Sequence, residues 1–401
     1  MLDQSQTDVG KILTDRRLVR YQPFAKLVEA AAREQKIGAG KIFLEVMRLT
    51  GRKKKMTADE YFAYQVYRKD LSLTEKKEFV GARGSHELND KLSPPALTQL
   101  RGFLGDKFAF PALMQQTGLP VTETQAMFTT DRYIGNLRAL RNSRDIIAFL
   151  GQDADFPIFG KPVKGAQALG TVRIDAVDAP SGLAKLHDGR VVSVASLAEE
   201  IVTDFPDGYL FQTAVEQHPV LTEMAGETLA TVRLVTVIED SDPKTLYSVW
   251  KIPSPKAMSD NFWQDGSMLA SLNIENGRIE RCVTGKGSEQ TEIAAHPVSG
   301  KEFSTFQIPQ WEDAVALVKN AHALFPQVGC LGWDVAMGKN GPLIVECNEN
   351  PGHDFYQVAT GRGALTPELQ ASFTRVIARN ESVAKGLKER AYKVGRKHAQ
   401  W

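Results

Sequence analysis

Asp334, Glu346 and Asn348 are the residues whose types and spacing most directly offer chemistry. Asp334 closes the segment Leu331-Gly-Trp-Asp334, and Glu346-Cys-Asn348-Glu-Asn-Pro351-Gly352 begins twelve residues later. Between them, the apolar runs Val335-Ala-Met and Pro342-Leu-Ile-Val flank Gly338-Lys-Asn-Gly341, whose glycines and asparagine accept the positive φ of a hairpin turn. The pattern predicts two antiparallel strands. Alternate side chains of a strand share a face, so Glu346 and Asn348 point the same way and the hairpin can bring Asp334 opposite them. Carboxylate and amide oxygens suit the hard cation Mg²⁺, which also takes ligands from substrate phosphates; the trio reads as a magnesium-nucleotide site. A surface hairpin with scattered acids carries the same pattern, so the upstream cations decide how much weight it bears.

Phe156-Pro-Ile-Phe-Gly-Lys161-Pro-Val-Lys164-Gly165-Ala-Gln-Ala-Leu-Gly170-Thr171 sets Lys161 at the end of an apolar strand, immediately before a loop with two glycines. An ammonium supplies compact positive charge there, and glycines let backbone N–H groups approach oxyanions, which suits a phosphate. An ordinary strand-edge lysine is the alternative. The spacing matches neither the Walker loop nor the dinucleotide fingerprint. Further on, Gly208-Tyr-Leu-Phe-Gln212-Thr-Ala-Val215-Glu-Gln-His218-Pro219 is an apolar strand that breaks between Gln212 and Val215. Such a break exposes backbone groups that can meet an adenine edge, with Glu216 or His218 facing a ribose; His218 beside Pro219 can equally be a structural histidine. Arg233 lies inside Thr231-Val-Arg233-Leu-Val-Thr-Val-Ile. Burying it unpaired is costly, so it must meet an internal carboxylate or an anionic ligand. Lys251, closing Tyr247-Ser-Val-Trp-Lys251, is a similar and weaker candidate.

The elements that must hold these residues follow from periodicity. Residues 11–80 show helical spacing, with Phe24, Leu27, Val28 and Ala31 on one face and Ile42, Phe43, Val46 and Leu49 on another. Thr57-Ala-Asp-Glu60 resembles a capping box. The first hundred residues read as all-helical, with a turn-rich stretch from Gly81 to Asn89 and a boundary at Ser93-Pro94-Pro95. A helix starting near Asp106-Lys107 leads through Gly118-Leu-Pro120 into a strand, and Asp131 to Leu150 reads as a second helix. Strands are expected around the glycine loop between Phe156 and Ile174, and at 190–194, 209–215, 230–238, 245–252, 268–274 and 279–283. Helices return at 311–324 and 367–391. Strands mixed with segregated helices argue an α+β class.

At 401 residues the chain can bury a large core over two or three domains. It has no run of eighteen apolar residues and a polar N-terminus, so neither a transmembrane span nor a secretory signal is expected, and a cytoplasmic location is. Cys282, Cys330 and Cys347 are isolated, which argues for neither disulfides nor zinc. The net charge of +1 hides basic ends on an acidic body: residues 1–98 hold 19 Lys/Arg against 13 Asp/Glu, and residues 99–384 carry −10. Basic ends can touch an anionic lipid surface or an acidic partner. The cluster Arg52-Lys53-Lys54-Lys55 has no interleaved aromatics, so no nucleic-acid partner is expected.

Taken in order, these pieces resemble the ATP-grasp superfamily, and most of all its sugar-transfer-associated family. The resemblance rests on Asp106-Lys107 with Gly118-Leu-Pro120, on Phe159-Gly-Lys161 and its glycine loop, and on Phe211-Gln212 with Gln217-His218-Pro219. It continues through Thr231-Val-Arg233, Asp260-Asn261-Phe262, His296-Pro297, Gly332-Trp-Asp334 and Glu346-Cys-Asn348, over roughly residues 97–365. Glu60-Tyr-Phe-Ala-Tyr64 and Phe79-Val-Gly81 extend it into the N-terminal segment. It implies an ATP-grasp fold whose two α+β lobes, about 99–215 and 216–365, sandwich ATP, after a helical segment 1–98 and before a C-terminal helix and basic tail 366–401.

By motif position, the resemblance implies that Lys107 and Lys161 hold the α/β-phosphates and that the loop 164–171, with Lys164 and Gly165, closes over the triphosphate. Gln212, Thr213 and Val215 would take the adenine, and Glu216 or His218 the ribose. Asp334, Glu346 and Asn348 would ligate one or two Mg²⁺, with Mn²⁺ compatible, and Arg233 would stabilise the transferring charge, Lys251 being the second catalytic candidate from its own strand position. Gln212 departs from the Glu that many members carry at that position.

The implied reaction is ATP-dependent ligation of a carboxylate to an amine through an acyl phosphate, on an amino acid, sugar acid or small metabolite in polysaccharide or natural-product biosynthesis. Catalysis would be positioning and charge neutralisation, with no protein nucleophile. Arg278, Arg281, Lys286, His353 and Arg362 are candidates for holding the acid, and Asp260, Asn261 and Trp263 for shaping the acceptor pocket. A small-molecule kinase and a non-catalytic ATP-binding regulator of a glycan-assembly complex are the competing readings. The basic N-terminal helices are expected to contact a membrane or partner, to pack against the C-terminal helix, or to mediate a homodimer.

Overall fold

The computed structural model describes residues 11–14, 22–51, 56–94, 97, 100–165, 168–255, 257–262 and 264–398. Arg52 to Lys55, Pro95 and Trp263 lie outside the described residues, as do the first ten residues and the last three.

Two seven-stranded sheets organise the chain. The first contains β1 (Thr124–Phe128), β2 (Arg138–Leu140), β3 (Ile158–Pro162), β4 (Val172–Asp178), β5 (Leu183–Leu186), β6 (Val191–Ser193) and β7 (Tyr209–Thr213). Its order is β2-β1-β7-β3-β4-β5-β6, and every pair but β1–β2 is antiparallel. The second contains β8 (Thr231–Ile238), β9 (Pro243–Ile252), β10 (Met268–Leu272), β11 (Ile279–Thr284), β12 (Thr291–Glu292), β13 (Cys330–Gly338) and β14 (Gly341–Asn348), in the order β12-β11-β10-β9-β8-β13-β14. The expected hairpin is β13–β14, with Asp334 paired to Glu346 and Gly332 to Asn348. The mixed α+β class and the helical N-terminal segment are both present.

Period-two alternation explains how the second sheet is buried on both sides. Val232, Leu234, Trp250, Ala270 and Trp333 face a layer that includes the helix Trp311–Ala323. Val235, Val237, Val249 and Leu269 face Tyr61, Phe62 and Tyr67 of the N-terminal segment and Phe373 of the C-terminal helix Pro367–His398. Arg233, Lys251 and Asp334 have the parity of this second set. One sheet face is therefore apolar at one end, beneath the N-terminal helices, and charged at the other. The N-terminal segment packs into the same core as the second sheet.

Side chains fasten that segment down. Gln357 bonds both to the N–H and to the carbonyl of Val80, each at 2.8 Å, in the manner of a strand partner. The Thr57 capping box forms as expected, and Glu60 also accepts from the Ala82 N–H at 2.6 Å. A Cβ on Gly81 would lie 1.9 Å from that carboxylate, so glycine is what lets Glu60 reach the start of the next helix.

Several expected elements differ. Gly81 to Asn89 is not a turn-rich boundary: Ala82–Leu92 is a helix. Its inward residues include polar Ser85 and Asn89, which hide the apolar period. Asp131 to Leu150 is not one helix but β2 followed by Ser143–Ala148 and a π-turn, interrupted at Gly135 and re-initiated by the Asn142 cap. The helices Val194–Asp204, Pro219–Ala225 and Asp354–Thr360 and the strands β5 and β12 add to what the spacing predicts.

Candidate functional site

The charged end of the second sheet faces the first sheet across a cavity of about 460 Å³. From the first sheet, β3 and β7 are antiparallel with Phe159 opposite Gln212 and Lys161 opposite Leu210. Phe159, Lys161 and Gln212 thus share the cavity face, while Ile158, Tyr209 and Phe211 turn into the first sheet's own core. From the second sheet come Thr231, Arg233, Lys251, Asp334, Glu346 and Asn348.

Lys161 is 5% exposed and, among the described residues, its ammonium has no hydrogen-bond or ion-pair partner. Burial pushes its pKa down to about 8, with Glu346 and Asp334 opposing the fall. A desolvated, unpaired cation facing open volume is a ready anion site. Lys107 lines the same cavity and donates to the Gly165 carbonyl at 2.7 Å, tying the helix start at Asp106 to the glycine loop. Lys164 lines the rim and pairs with Asp207 at 2.9 Å. The loop's second anchor is Tyr209, whose hydroxyl donates to the Gly170 carbonyl at 2.8 Å.

Across the cavity the carboxylates are tightly held. Arg233 grips Asp334 through Nε and, at 3.0 Å, through Nη2. Lys251 Nζ bridges Asp334 at 3.0 Å and Asp260 at 2.9 Å, and Thr231 donates to Asp260. Burial alone would raise the Asp334 pKa, but Arg233 and Lys251 hold it far below the carboxylate range. Glu346 is pushed up, first by burial and then by Asp334 beside it. Burial opposes the charge on Lys251, and Asp260 and Asp334 more than restore it.

A divalent cation fits this donor set. Asp334 and Glu346 are hard-oxygen donors held in register on adjacent strands, and Asn348, whose amide oxygen is a ligand of the same kind, lines the cavity beside them. A cation would relieve the repulsion that raises Glu346. Among the described residues no cluster of three or more His, Cys, Asp or Glu is present, so further ligands would have to come from phosphates and water.

Gln212, Thr213 and Val215 line the cavity, with Gln212 Nε2 donating to Thr124 Oγ1 at 3.0 Å. Glu216 and His218, expected at a ribose, do not line it. After Val215 the chain joins the β13–β14 turn: Gln217 bridges Gly338, and the Lys339 N–H donates to the Glu216 carbonyl at 2.9 Å. Glu216 is exposed and pairs with Lys339 at 3.0 Å, while His218 Nδ1 caps Pro219–Ala225 by accepting from the Val220 N–H. The cations expected to hold an acid are also elsewhere. Arg281 pairs with Glu292, Lys286 with Asp265 and Arg362 with Glu368, Arg278 bridges Gln307, and buried His353 bonds Tyr247 at 2.8 Å. Asp260 and Asn261 do line the cavity; Trp263 is outside the described residues.

Sequence reading missed Thr122, Arg173, Ser259 and Phe355, all of which line the cavity. Thr122 Oγ1 and Ser259 Oγ are buried without partners, and Arg233 stacks over the Phe355 ring at 5.5 Å. None belongs to a motif with a spacing signal; their roles come from tertiary placement.

Among solved structures the chain is similar to an L-amino acid ligase from Bacillus licheniformis, at 14% identity over 71% of this chain and 52% of that one, with a TM-score of 0.37. It is similar also to a D-alanine–D-alanine ligase from Coxiella burnetii, at 12% identity over 73% and 62%, TM-score 0.41. The ATP-grasp ligase PsnB follows at 14% identity over 71% and 61%, TM-score 0.33. The chain thus spans between about half and three-fifths of these ligases. No curated protein matches its sequence. The profile of the family described as sugar-transfer associated ATP-grasp matches residues 84–372, starting inside the helix Ala82–Leu92 and enclosing both sheets and every cavity-lining residue. With 289 of the 401 residues and the whole cavity inside that match, the chain belongs to the sugar-transfer associated ATP-grasp family.

Proposed function

We propose that the chain is an ATP-dependent carboxylate–amine ligase. The observation that carries this reading is Lys161, a buried ammonium without a partner, facing Asp334, Glu346 and Asn348 across one cavity. In this reading Lys161 and Lys107 bind phosphate oxygens, and the loop from Lys164 to Thr171 covers them. Gln212 to Val215 border the base. Bound Mg²⁺, held by Glu346, Asn348 and Asp334, would supply charge neutralisation at the phosphates.

A substrate carboxylate oxygen then attacks the γ-phosphorus, the bond to the β-bridging oxygen breaks, and ADP leaves. An amine nitrogen attacks the acyl carbon of the resulting acyl phosphate, loses a proton, and inorganic phosphate departs with the C–O electrons. Arg233 and Lys251 hold positive charge beside the reacting phosphoryl group, and the chain's contribution is orientation and preorganised charge.

A small-molecule kinase is the second reading. It is favoured by one observation: the cations at the acceptor end, Arg233 and Lys251, are already bonded to Asp334, and Arg278, Arg281, Lys286 and Arg362 do not line the cavity. A hydroxyl acceptor would need no further cation there.

The deciding experiment measures phosphate, ADP and AMP released from Mg-ATP with pooled carboxylic acids, pooled amines and both together. ADP plus free phosphate only with both supports the ligase. ADP formed with a phosphorylated acceptor and no amine requirement supports the kinase, and AMP overturns the acyl-phosphate chemistry. Glu346→Ala, with an unchanged unfolding curve, is expected to abolish turnover; full activity in that variant removes Glu346 from the metal set.

A further inference from the structure

We infer that the outer face of the helix Ala39–Leu49 docks on an anionic lipid surface. At 3.6 residues per turn, Ile42 and Val46 point inward and are 1% and 2% exposed. Phe43, Leu44 and Met47 point outward and are 46%, 68% and 63% exposed. Large apolar side chains at i, i+1 and i+4 make a continuous stripe, and single exposed hydrophobics do not. Phe24, itself 37% exposed, meets Phe43 edge-on with ring centroids 6.2 Å apart, so the stripe extends onto the preceding helix Phe24–Gln35.

The charges around the stripe select the occupant. Lys36, Lys41 and Arg48 are exposed at its margin. The helix has one acid, Glu45, and it is turned inward, accepting from Lys76 Nζ at 2.7 Å and Tyr61 Oη at 2.5 Å. No carboxylate of this helix therefore opposes an anionic plane. An apolar stripe of Phe, Leu and Met bordered by cations is the composition of a helix lying in a headgroup layer, where apolar burial and attraction to anionic lipid add. None of these residues lines the cavity, so docking and catalysis use different surfaces.

The test is cosedimentation of the full chain with vesicles of phosphatidylcholine alone and of phosphatidylcholine mixed with phosphatidylglycerol. Binding is expected to the mixed vesicles, weakening as salt is raised. Leu44→Glu combined with Met47→Glu is expected to lower the bound fraction about tenfold, and Lys41→Gln with Arg48→Gln to flatten the salt dependence. All four side chains are exposed, so each variant should keep the wild-type unfolding midpoint and ATP turnover. Absence of binding to the mixed vesicles overturns the inference, as does unchanged binding by Leu44→Glu/Met47→Glu. A dimer that this double variant dissociates, without vesicle binding by either protein, overturns it in favour of a second copy of the chain on this face.

Discussion

Asn89 Nδ2 donates to Asn350 Oδ1 at 2.6 Å and to the Pro351 carbonyl at 2.9 Å, joining the N-terminal helix Ala82–Leu92 to the loop that leaves the Glu346–Asn348 strand. Asn89 is 1% exposed, and Arg101 Nη2 holds its carbonyl at 3.0 Å. The helical segment thus fixes the exit of the proposed metal hairpin, close to Gly332, where a Cβ would lie 2.8 Å from Pro351. Asn89→Ala should leave the buried Pro351 carbonyl and the half-buried Asn350 amide oxygen without this donor, costing about 1–3 kcal/mol. It should also raise the Mg²⁺ concentration needed for half-maximal turnover about tenfold, the usual scale for groups that orient ligands. Metal titrations of turnover at saturating nucleotide check this; an unchanged Mg²⁺ requirement alongside a lowered unfolding midpoint would make Asn89 purely structural.

Tyr209 offers a second handle. Its ring occupies space that only glycine leaves at position 160: a Cβ there would lie 2.8 Å from the Tyr209 ring and hydroxyl. In exchange the hydroxyl reaches Gly170 at the end of the loop. Tyr209→Phe removes one buried hydrogen bond, worth about 1 kcal/mol, and is expected to weaken nucleotide affinity roughly fivefold with little change in kcat. Gly160→Ala overpacks the same site and should lower stability by about 1–3 kcal/mol. Calorimetric nucleotide binding and urea unfolding separate the two effects.

What could be read in advance was local. The β13–β14 register was legible because period two, a glycine turn and an acid on each strand fall within one short window. Lys161 was legible because an apolar strand and a glycine loop bracket it. Glu216 and His218 were not, since their direction is set when Gln217 bridges Gly338 on a strand distant in sequence. The helix Ala82–Leu92 escaped because its inward positions include Ser85 and Asn89, buried polar residues, the second held by bonds to Asn350 and Pro351. Thr122 and Ser259 carry no pattern at all; only the folding of two sheets onto one cavity singles them out.

Lys161 gives the site a pH dependence of defined sign. Its pKa lies at about 8, below the ordinary lysine value because the group is buried. The ammonium is the form that attracts phosphate, so affinity of the free protein for nucleotide should fall as pH rises through about 8. Lys161→Arg keeps a charge that does not titrate there and should flatten this limb, whereas Lys161→Gln should lose about 10- to 100-fold in affinity at neutral pH. Binding measured from pH 6 to 10 decides the matter; a wild-type limb that persists in Lys161→Arg would assign it to another group.

Glu239 predicts an acid limb in stability. It follows β8 and clamps the C-terminal helix: Arg375 donates through Nε at 2.8 Å and Nη2 at 2.9 Å, Ser372 donates at 2.7 Å, and Lys244 lies at 3.2 Å. The Arg375 bonds pull its pKa from 4.5 to about 2, against the opposing effect of burial. A carboxylate whose folded pKa is depressed stabilises the fold fully above its unfolded pKa and loses that contribution as pH falls through the folded one. Glu239→Gln should therefore cost about 1–2 kcal/mol at pH 7, a figure kept low because the Arg375 side chain is 53% exposed. The gap between wild type and variant should close between pH 4.5 and about 2. Urea unfolding of both proteins across that range checks the sign. A gap that stays constant would mean the carboxylate's charge contributes nothing, and that packing at Ser372 and Arg375 holds the helix instead.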